Sequence, residues 1–223
     1  LNLKIDYTKY KHLSFDLWLT LIKSNPDFKS KRNLLFKDYF EIDFPIEKVA
    51  EVIRYYDVLC NNTNEKTGLN IATFEIYYLI LNALKVEIEA IEIDKLAHFY
   101  QETELLFMLY KPDLIYPKIQ FLLAEMIAQE KSISILSNTA FIKGSTLRKL
   151  MVYYELKDLF SFQIYSDETG FSKPNQKMFQ LVFDKIRENK IIQKTEVVHI
   201  GDNIKADYNG AIEFGFNALL IKI

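Results

Sequence analysis

From Pro117 onward the apolar residues of this chain alternate between two spacings, and that alternation restricts the fold more than any other feature. Ile119, Leu122, Leu123 and Met126 recur at helical intervals, and a short apolar run from Ile133 to Leu136 closes on Ser137. Leu147, Leu150, Met151 and Tyr154 mark a second helix, Phe162 to Tyr165 a strand, and Met178, Phe179, Val182 and Phe183 a third helix. Val197 to Ile200 runs as a strand into Gly201-Asp202, a helix starts near Ile204, and Ala218 to Ile221 ends the series. Spacings of three and four place apolar residues on one helical stripe, whereas short continuous runs suit strands buried on both faces. The alternation predicts a doubly wound, Rossmann-like α/β fold with a parallel sheet covered on both sides.

Lys11 to Leu17 reads as the first strand, and it carries a carboxylate, Asp16, with a hydroxyl at Thr20 where turn chemistry begins. Leaving water costs a carboxylate several kcal/mol unless a metal, a cation or hydrogen-bond donors compensate it. Between this strand and Lys111-Pro112 the pattern is helical. Val49, Val52, Ile53 and Tyr56 form one stripe, Phe74, Tyr77, Tyr78 and Leu81 another, and Pro45 and Asp94 stand at expected helix starts. The expected organisation is an α/β core of residues 1–22 and 111–223 with a helical cap, residues 23–110, inserted after the first strand.

With 223 residues, 49% of them hydrophobic, the chain can bury one core and a smaller satellite. A formal net charge of -2 leaves no basic field for nucleic acid or an anionic membrane, and no apolar run reaches membrane-spanning length. Cys60, the single cysteine, falls in an apolar helical pattern and reads as core, which points to a reducing compartment or to indifference about redox. Charges between Leu1 and Asp6 interrupt the apolar run a signal peptide needs, so a cytoplasmic location is expected. One tyrosine of each of the pairs Tyr55-Tyr56 and Tyr77-Tyr78 continues an apolar stripe, so core packing is favoured over a pocket wall; His98 and His199 read as structural histidines, and the charges from Glu87 to Glu104 as a solvated helix face. Oligomeric state leaves no mark in the sequence.

Asp16, Ser137 and Asp202 all fall at the carboxyl ends of predicted strands, where open α/β sheets bind ligands. Singly each suits a cap or a turn. Together they describe a phosphate-and-metal site: Asp16 and Asp202 share a hard divalent cation, Ser137 offers a hydroxyl, and backbone N–H groups near Asn138 grip phosphate oxygens. Lys173, restricted by the following Pro174, presents a balancing ammonium from a loop or helix entry.

In motif order, Asp16-Leu-Trp-Leu-Thr20, Ser137-Asn138, Lys173-Pro174 and Gly201-Asp202-Asn203 with Asp207 resemble the four motifs of the haloacid dehalogenase-like (HAD) hydrolase superfamily. The long interval between Asp16 and Ser137 resembles the subfamily whose helical cap follows the first motif. The resemblance implies a small phosphorylated substrate, Mg²⁺, and Asp16 as nucleophile forming an aspartyl-phosphate, with Ser137 and Lys173 stabilising the phosphoryl oxygens. It implies metal ligands Asp16, Asp202 and the Trp18 backbone carbonyl, with Asp207 through water or as an orienting group. Thr20, Ser137, Asn138 and Lys173 are the implied substrate-binding positions, Thr20 also shaping the turn.

Where family phosphatases carry a second Asp as acid and base, this chain has Trp18, and the usual next Gly is Leu19. A missing acid/base costs about 10²- to 10⁴-fold in rate. Dehalogenases of the superfamily also place an aromatic at the Trp18 position, but they work without metal, lack the acid supplied here by Asp202, and need a cation for the substrate carboxylate, for which Arg32 and Arg54 are candidates. Three readings follow: a Mg²⁺-dependent phosphohydrolase, a 2-haloacid dehalogenase type using Asp16 on carbon, and a non-catalytic member binding a phospho-ligand or protein. Retention of Asp202 favours the first.

Overall fold

A computed structural model describes residues 6–221. Strand β1 (His12–Phe15) opens the chain and a two-residue β2 (Ile22–Lys23) follows. Helices α1 (Pro26–Tyr39), α2 (Ile46–Thr67), α3 (Thr73–Ala83) and α4 (Ile93–Leu109) come next, then β3 (Asp113–Leu114) and α5 (Ile119–Ala128). The chain continues through β4 (Ser132–Ser137), α6 (Gly144–Tyr153), β5 (Phe162–Tyr165), α7 (Ser166–Thr169) and α8 (Gln176–Arg187). It closes with β6 (Val197–Gly201), a π-helical turn (Ile204–Asn209), α9 (Gly210–Phe214) and β7 (Asn217–Leu220).

Five strands form one parallel sheet in the order β5-β4-β1-β6-β7. All residues of β1 and β6 are buried, as strands covered on both faces must be. One face packs on α5 and α6 through Leu13, Phe15, Leu123, Ile133 and Leu147; the other packs on α8 and α9 through Leu136, Phe179, Val197 and Phe214. His12 is fully buried in the central strand. Its two ring nitrogens meet the Ser132 and Ser134 hydroxyls at 2.8 and 2.9 Å, and burial pushes its pKa down to about 3, so the ring is neutral.

The first strand is shorter than the Lys11 to Leu17 expected, because the Leu17 carbonyl turns to accept from Leu21 and Ile22. The helix expected near Ile204 starts as a π turn. The ribbon of β2 and β3, antiparallel where the chain leaves and re-enters the sheet layer, is too short to carry a periodic signal and went unpredicted.

The four helices between β2 and β3 bury their own apolar cluster, with Phe36, Val49, Ile76, Tyr77, Leu96 and Phe99 at its centre and Cys60 inside it. Asn25 caps α1 by accepting from Asp27 N–H, with Pro26 in the first turn. Gly68 ends α2 in the left-handed conformation at φ 71°. Tyr56, the stripe member of its pair, packs against this cluster while Tyr55 is exposed, and Tyr77 is fully buried. This helical layer is fastened to the sheet layer. Ser172 N–H and Asn175 Nδ2 both donate to the Gly68 carbonyl (3.1 and 3.0 Å), Asn70 N–H donates to Gly170 (3.0 Å), and the Thr73 hydroxyl donates to Ala140 (2.7 Å). Phe141, from the loop after β4, enters the helical cluster directly. No helix among the described residues is long and apolar enough to cross a membrane. The charged stretch from Leu1 to Ile5 lies outside the described residues.

Candidate active site

Parallel strands deliver their carboxyl ends to one edge of the sheet, and the chain order reverses at β1, between β4 and β6. Asp16 immediately follows β1, Ser137 ends β4, and Asp202 immediately follows β6. Lys173 reaches the same point from the loop before α8. Its ammonium is 1% exposed and donates to Asp16 Oδ1 (2.8 Å), Asp207 Oδ1 (2.6 Å) and the Leu136 carbonyl (2.7 Å). The Ser137 hydroxyl donates to Asp16 Oδ1 at 3.2 Å. Asp16 Oδ2 accepts from no donor among the described residues, so one carboxylate oxygen stays available to the cavity that Asp16 lines.

Charge explains the titration of this cluster. Burial pushes the Asp16 carboxyl up to about 6, against the opposing pull of Lys173. Burial also raises Asp202, helped by the charge of Asp207. Burial works against Asp207 as well, but Lys173 and His199 outweigh it and hold that carboxyl well below the usual range. For Lys173 burial opposes the charge, and Asp16 with Asp207 overcomes it and raises the pKa. His199 is driven down by burial and is neutral; its Nε2 donates to Asp207 Oδ1 (3.2 Å), and its Nδ1 accepts from the Ser14 hydroxyl (3.0 Å). Three acids thus face one ammonium.

Carboxylate oxygens of Asp16, Asp202 and Asp207 lie within 4.8 Å of one another. A hard divalent cation fits such an all-oxygen set, and it also fits the excess of negative charge. Asp207 enters this set already engaged: Oδ1 accepts from Lys173 and His199, and Oδ2 from Asn203 N–H (3.0 Å). The π turn brings Asp207 back over the end of β6, and Gly201 leaves it room, because a Cβ there would overlap the Asp207 carboxylate. Such turns recur at functional sites.

The sequence-derived residues do not all stand in the same place. Asp16, Trp18, Asn138, Lys173, Asp202 and Asp207 line one cavity of about 390 Å³, and Ser137 is buried against Asp16. The Asn138 side chain is taken up by Lys173, donating to its carbonyl (3.0 Å) and accepting from its N–H (2.7 Å). Thr20 is buried outside the cavity lining, its hydroxyl without a partner among the described residues. Leu19 holds a left-handed φ of 56° in the turn after Trp18, the conformation a glycine takes most easily.

The sequence does not single out Glu65, reads His199 only as structural, and leaves Arg32 a candidate without a place. His199 supports Asp207 from inside β6. Glu65, on α2, accepts from Asn203 Nδ2 at 2.7 Å and so joins the helical layer to the Asp202 loop. Arg32, on α1, lines the cavity, while Arg54 is exposed and pairs with Asp57 at 3.0 Å. Placing these required the tertiary fold, since no local motif marks them.

The sequence profile of haloacid dehalogenase-like hydrolases matches residues 10–215. The chain belongs to this family. No curated protein matches it. Among solved structures, the HAD-like hydrolase is similar to the magnesium-bound HAD-hydrolase YfnB from Bacillus subtilis, at 20% identity over 95% of this chain and 88% of that one, with a TM-score of 0.69. It is similar to a HAD phosphatase from Thermococcus onnurineus (16% identity, 95% and 86% covered, TM-score 0.65). A 2-haloacid dehalogenase from Pseudomonas syringae is similar to the same degree (19% identity, 95% and 86% covered, TM-score 0.64). The likeness is one of fold, shared by phosphatases and dehalogenases alike.

Proposed function

We propose that this HAD-like hydrolase is a Mg²⁺-dependent phosphohydrolase acting on a small phosphorylated metabolite, with residues 23–110 serving as a cap over the site. The acid cluster carries the reading: three carboxylates converge on one point with a single ammonium among them, and Asp202 is part of that set. Asp16 is the nucleophile. Its oxygen forms a bond to phosphorus as the bond to the leaving oxygen breaks, the leaving group departs with that electron pair, and water then cleaves the Asp16 acyl phosphate to restore the carboxylate and release phosphate. Lys173 and the Ser137 hydroxyl face the phosphoryl oxygens, while Asn138 fixes the Lys173 backbone. Asp16, Asp202 and the Trp18 carbonyl hold the cation, and Asp207, with its oxygens already engaged, acts through water or by holding Lys173. When bound, Mg²⁺ neutralises the repulsion between an anionic nucleophile and an anionic phosphoryl group.

Trp18 stands where an acid is expected, and an indole N–H exchanges no proton at neutral pH. Leaving groups that depart as stable anions are therefore the better substrates. With Mg²⁺, p-nitrophenyl phosphate turns over about a hundredfold or more faster than an alkyl phosphate, and chelation abolishes both. Equal rates on the two esters, or indifference to chelation, overturn the reading.

The second reading is dehalogenation, with Asp16 attacking carbon and halide leaving unprotonated. Trp18 and the cavity-lining Arg32 favour it, and Asp202 places it second. Metal-independent halide release from a 2-haloacid promotes it to first.

A further inference from the structure

Arg32 is the one cation of the cavity lining that has no task in the phosphoryl transfer above and is nine-tenths buried, at 8% exposure. Its guanidinium stacks over Phe141 at 4.5 Å and stands 6.0 Å from the Phe28 ring. Its hydrogen bonding is incomplete: NH2 donates to Asn33 at 3.1 Å, and Nε meets no partner among the described residues. No acid among the described residues lies within ion-pair distance of it. A buried cation in this condition is costly, and a carboxylate or phosphate matches its planar fork. The wall of the cavity that Arg32 and Asp16 both line includes aromatic surface from Trp18, Phe28 and Phe141. The Trp18 ring is held edge-on by Phe107 at 6.3 Å, and Phe107 also braces Phe28 at 5.3 Å.

We propose that Arg32 anchors a second anionic group of the substrate, remote from the reacting one, and that the leaving group between them is flat and unsaturated. The substrate class is then an aryl or enol phosphate bearing a carboxylate or second phosphate. The assignment rests on the Asp16 cavity being the substrate site. Its two halves agree: a leaving group stabilised by conjugation departs from Asp16-bound phosphorus without the proton Trp18 cannot give, and its far end meets a charge waiting for a partner.

Trp18 is the only tryptophan in the chain and lines the cavity, so its fluorescence reports binding without turnover. The test compares two non-hydrolysable probes in Mg²⁺, benzylphosphonate and 4-(phosphonomethyl)benzoate, with benzoate alone in chelator as a third arm. The unaltered protein binds the carboxylated phosphonate about tenfold or more tightly than benzylphosphonate, as a charge-assisted pair supplies. Arg32→Met removes that preference while keeping benzylphosphonate affinity within about threefold. Arg32→Lys keeps the charge but not the fork, retains only part of the preference, and serves alone if the Met variant does not fold.

A preference that survives in a folded Arg32→Met or is undiminished in Arg32→Lys, or no preference in the unaltered protein, overturns the anchor. If neither phosphonate binds, the phosphohydrolase reading falls, and the benzoate arm decides Arg32 separately. Quenching of Trp18 by benzoate that is lost in the variant sustains the anchor, and absence of quenching removes it. A second phosphate in place of the carboxylate is read by 1,4-xylylenediphosphonate, which then binds more tightly than the carboxylated probe.

Discussion

A single carboxylate, Asp16, carries two opposing demands. As a nucleophile it must be ionised, yet burial lifts its pKa to about 6. A carboxyl whose pKa is raised by folding binds its proton more tightly in the folded chain than in the unfolded one. Between about pH 4 and pH 6 its contribution to stability therefore grows as pH falls, and at pH 8 the ionised group weighs against the metal-free fold. Asp16→Asn should raise metal-free stability at pH 8 by on the order of 1 to 3 kcal/mol, since Lys173 keeps Asp207 as partner, while lowering turnover at least about a thousandfold. Urea melts and steady-state rates check the two halves. Trp18→Asp supplies the missing acid, so kcat/KM for an alkyl phosphate should rise about tenfold or more relative to p-nitrophenyl phosphate; an unchanged ratio denies that the proton donor is the deficit. Asp16, Ser137 and Asp202 were legible because each stands at or beside a strand end that its own neighbours announce, and Lys173 because Pro174 restricts it to a loop or helix entry. Arg32 was not placeable, because what isolates it is Phe28 on one helix and Phe141 on a distant loop.

Among the elements, the end of α2 binds the two layers together. Gly68 adopts φ 71°, and a Cβ there would come within 2.9 Å of Asn175 Nδ2, whose amide donates to the Gly68 carbonyl and whose oxygen caps α8. Gly68→Ala should cost about 1 to 2 kcal/mol from the left-handed backbone alone, more with the displaced cap. The denaturation midpoint reports it. A fall in kcat with little change in far-ultraviolet circular dichroism would then trace the damage to the Lys173 loop, which starts the same turn. Helices and sheet strands could be read from periodicity, whereas β2, β3 and the π turn could not. Two-residue strands have no period, and the π turn is set by Asn203, which accepts from Lys205 and Ala206 while its own N–H is held by Asp207.

For the whole molecule, the excess of acid over base at the sheet edge should make stability depend on divalent cations. Mg²⁺ at a hundred times its Kd should stabilise the chain by about 2.7 kcal/mol, visible as a rise in Tm that chelator reverses. Asp202→Asn should reduce that rise, and a Tm indifferent to Mg²⁺ in both proteins means that the carboxylates hold no such ion. The doubly wound arrangement was foreseeable because alternation of helix and strand leaves few ways to pack. The fasteners between layers were hidden, being isolated hydrogen bonds to backbone carbonyls from residues far apart in the chain. The short pairing of β2 with β3, Ile22 with Leu114 and Lys23 with Asp113, closes the chain on itself where it leaves and re-enters the sheet layer. Exit and return of the chain are zipped side by side, so the intervening helices form a closed bight tied off at its neck. A different bight grafted onto the same neck should leave the strand order, and with it the spacing of the carboxylates, untouched.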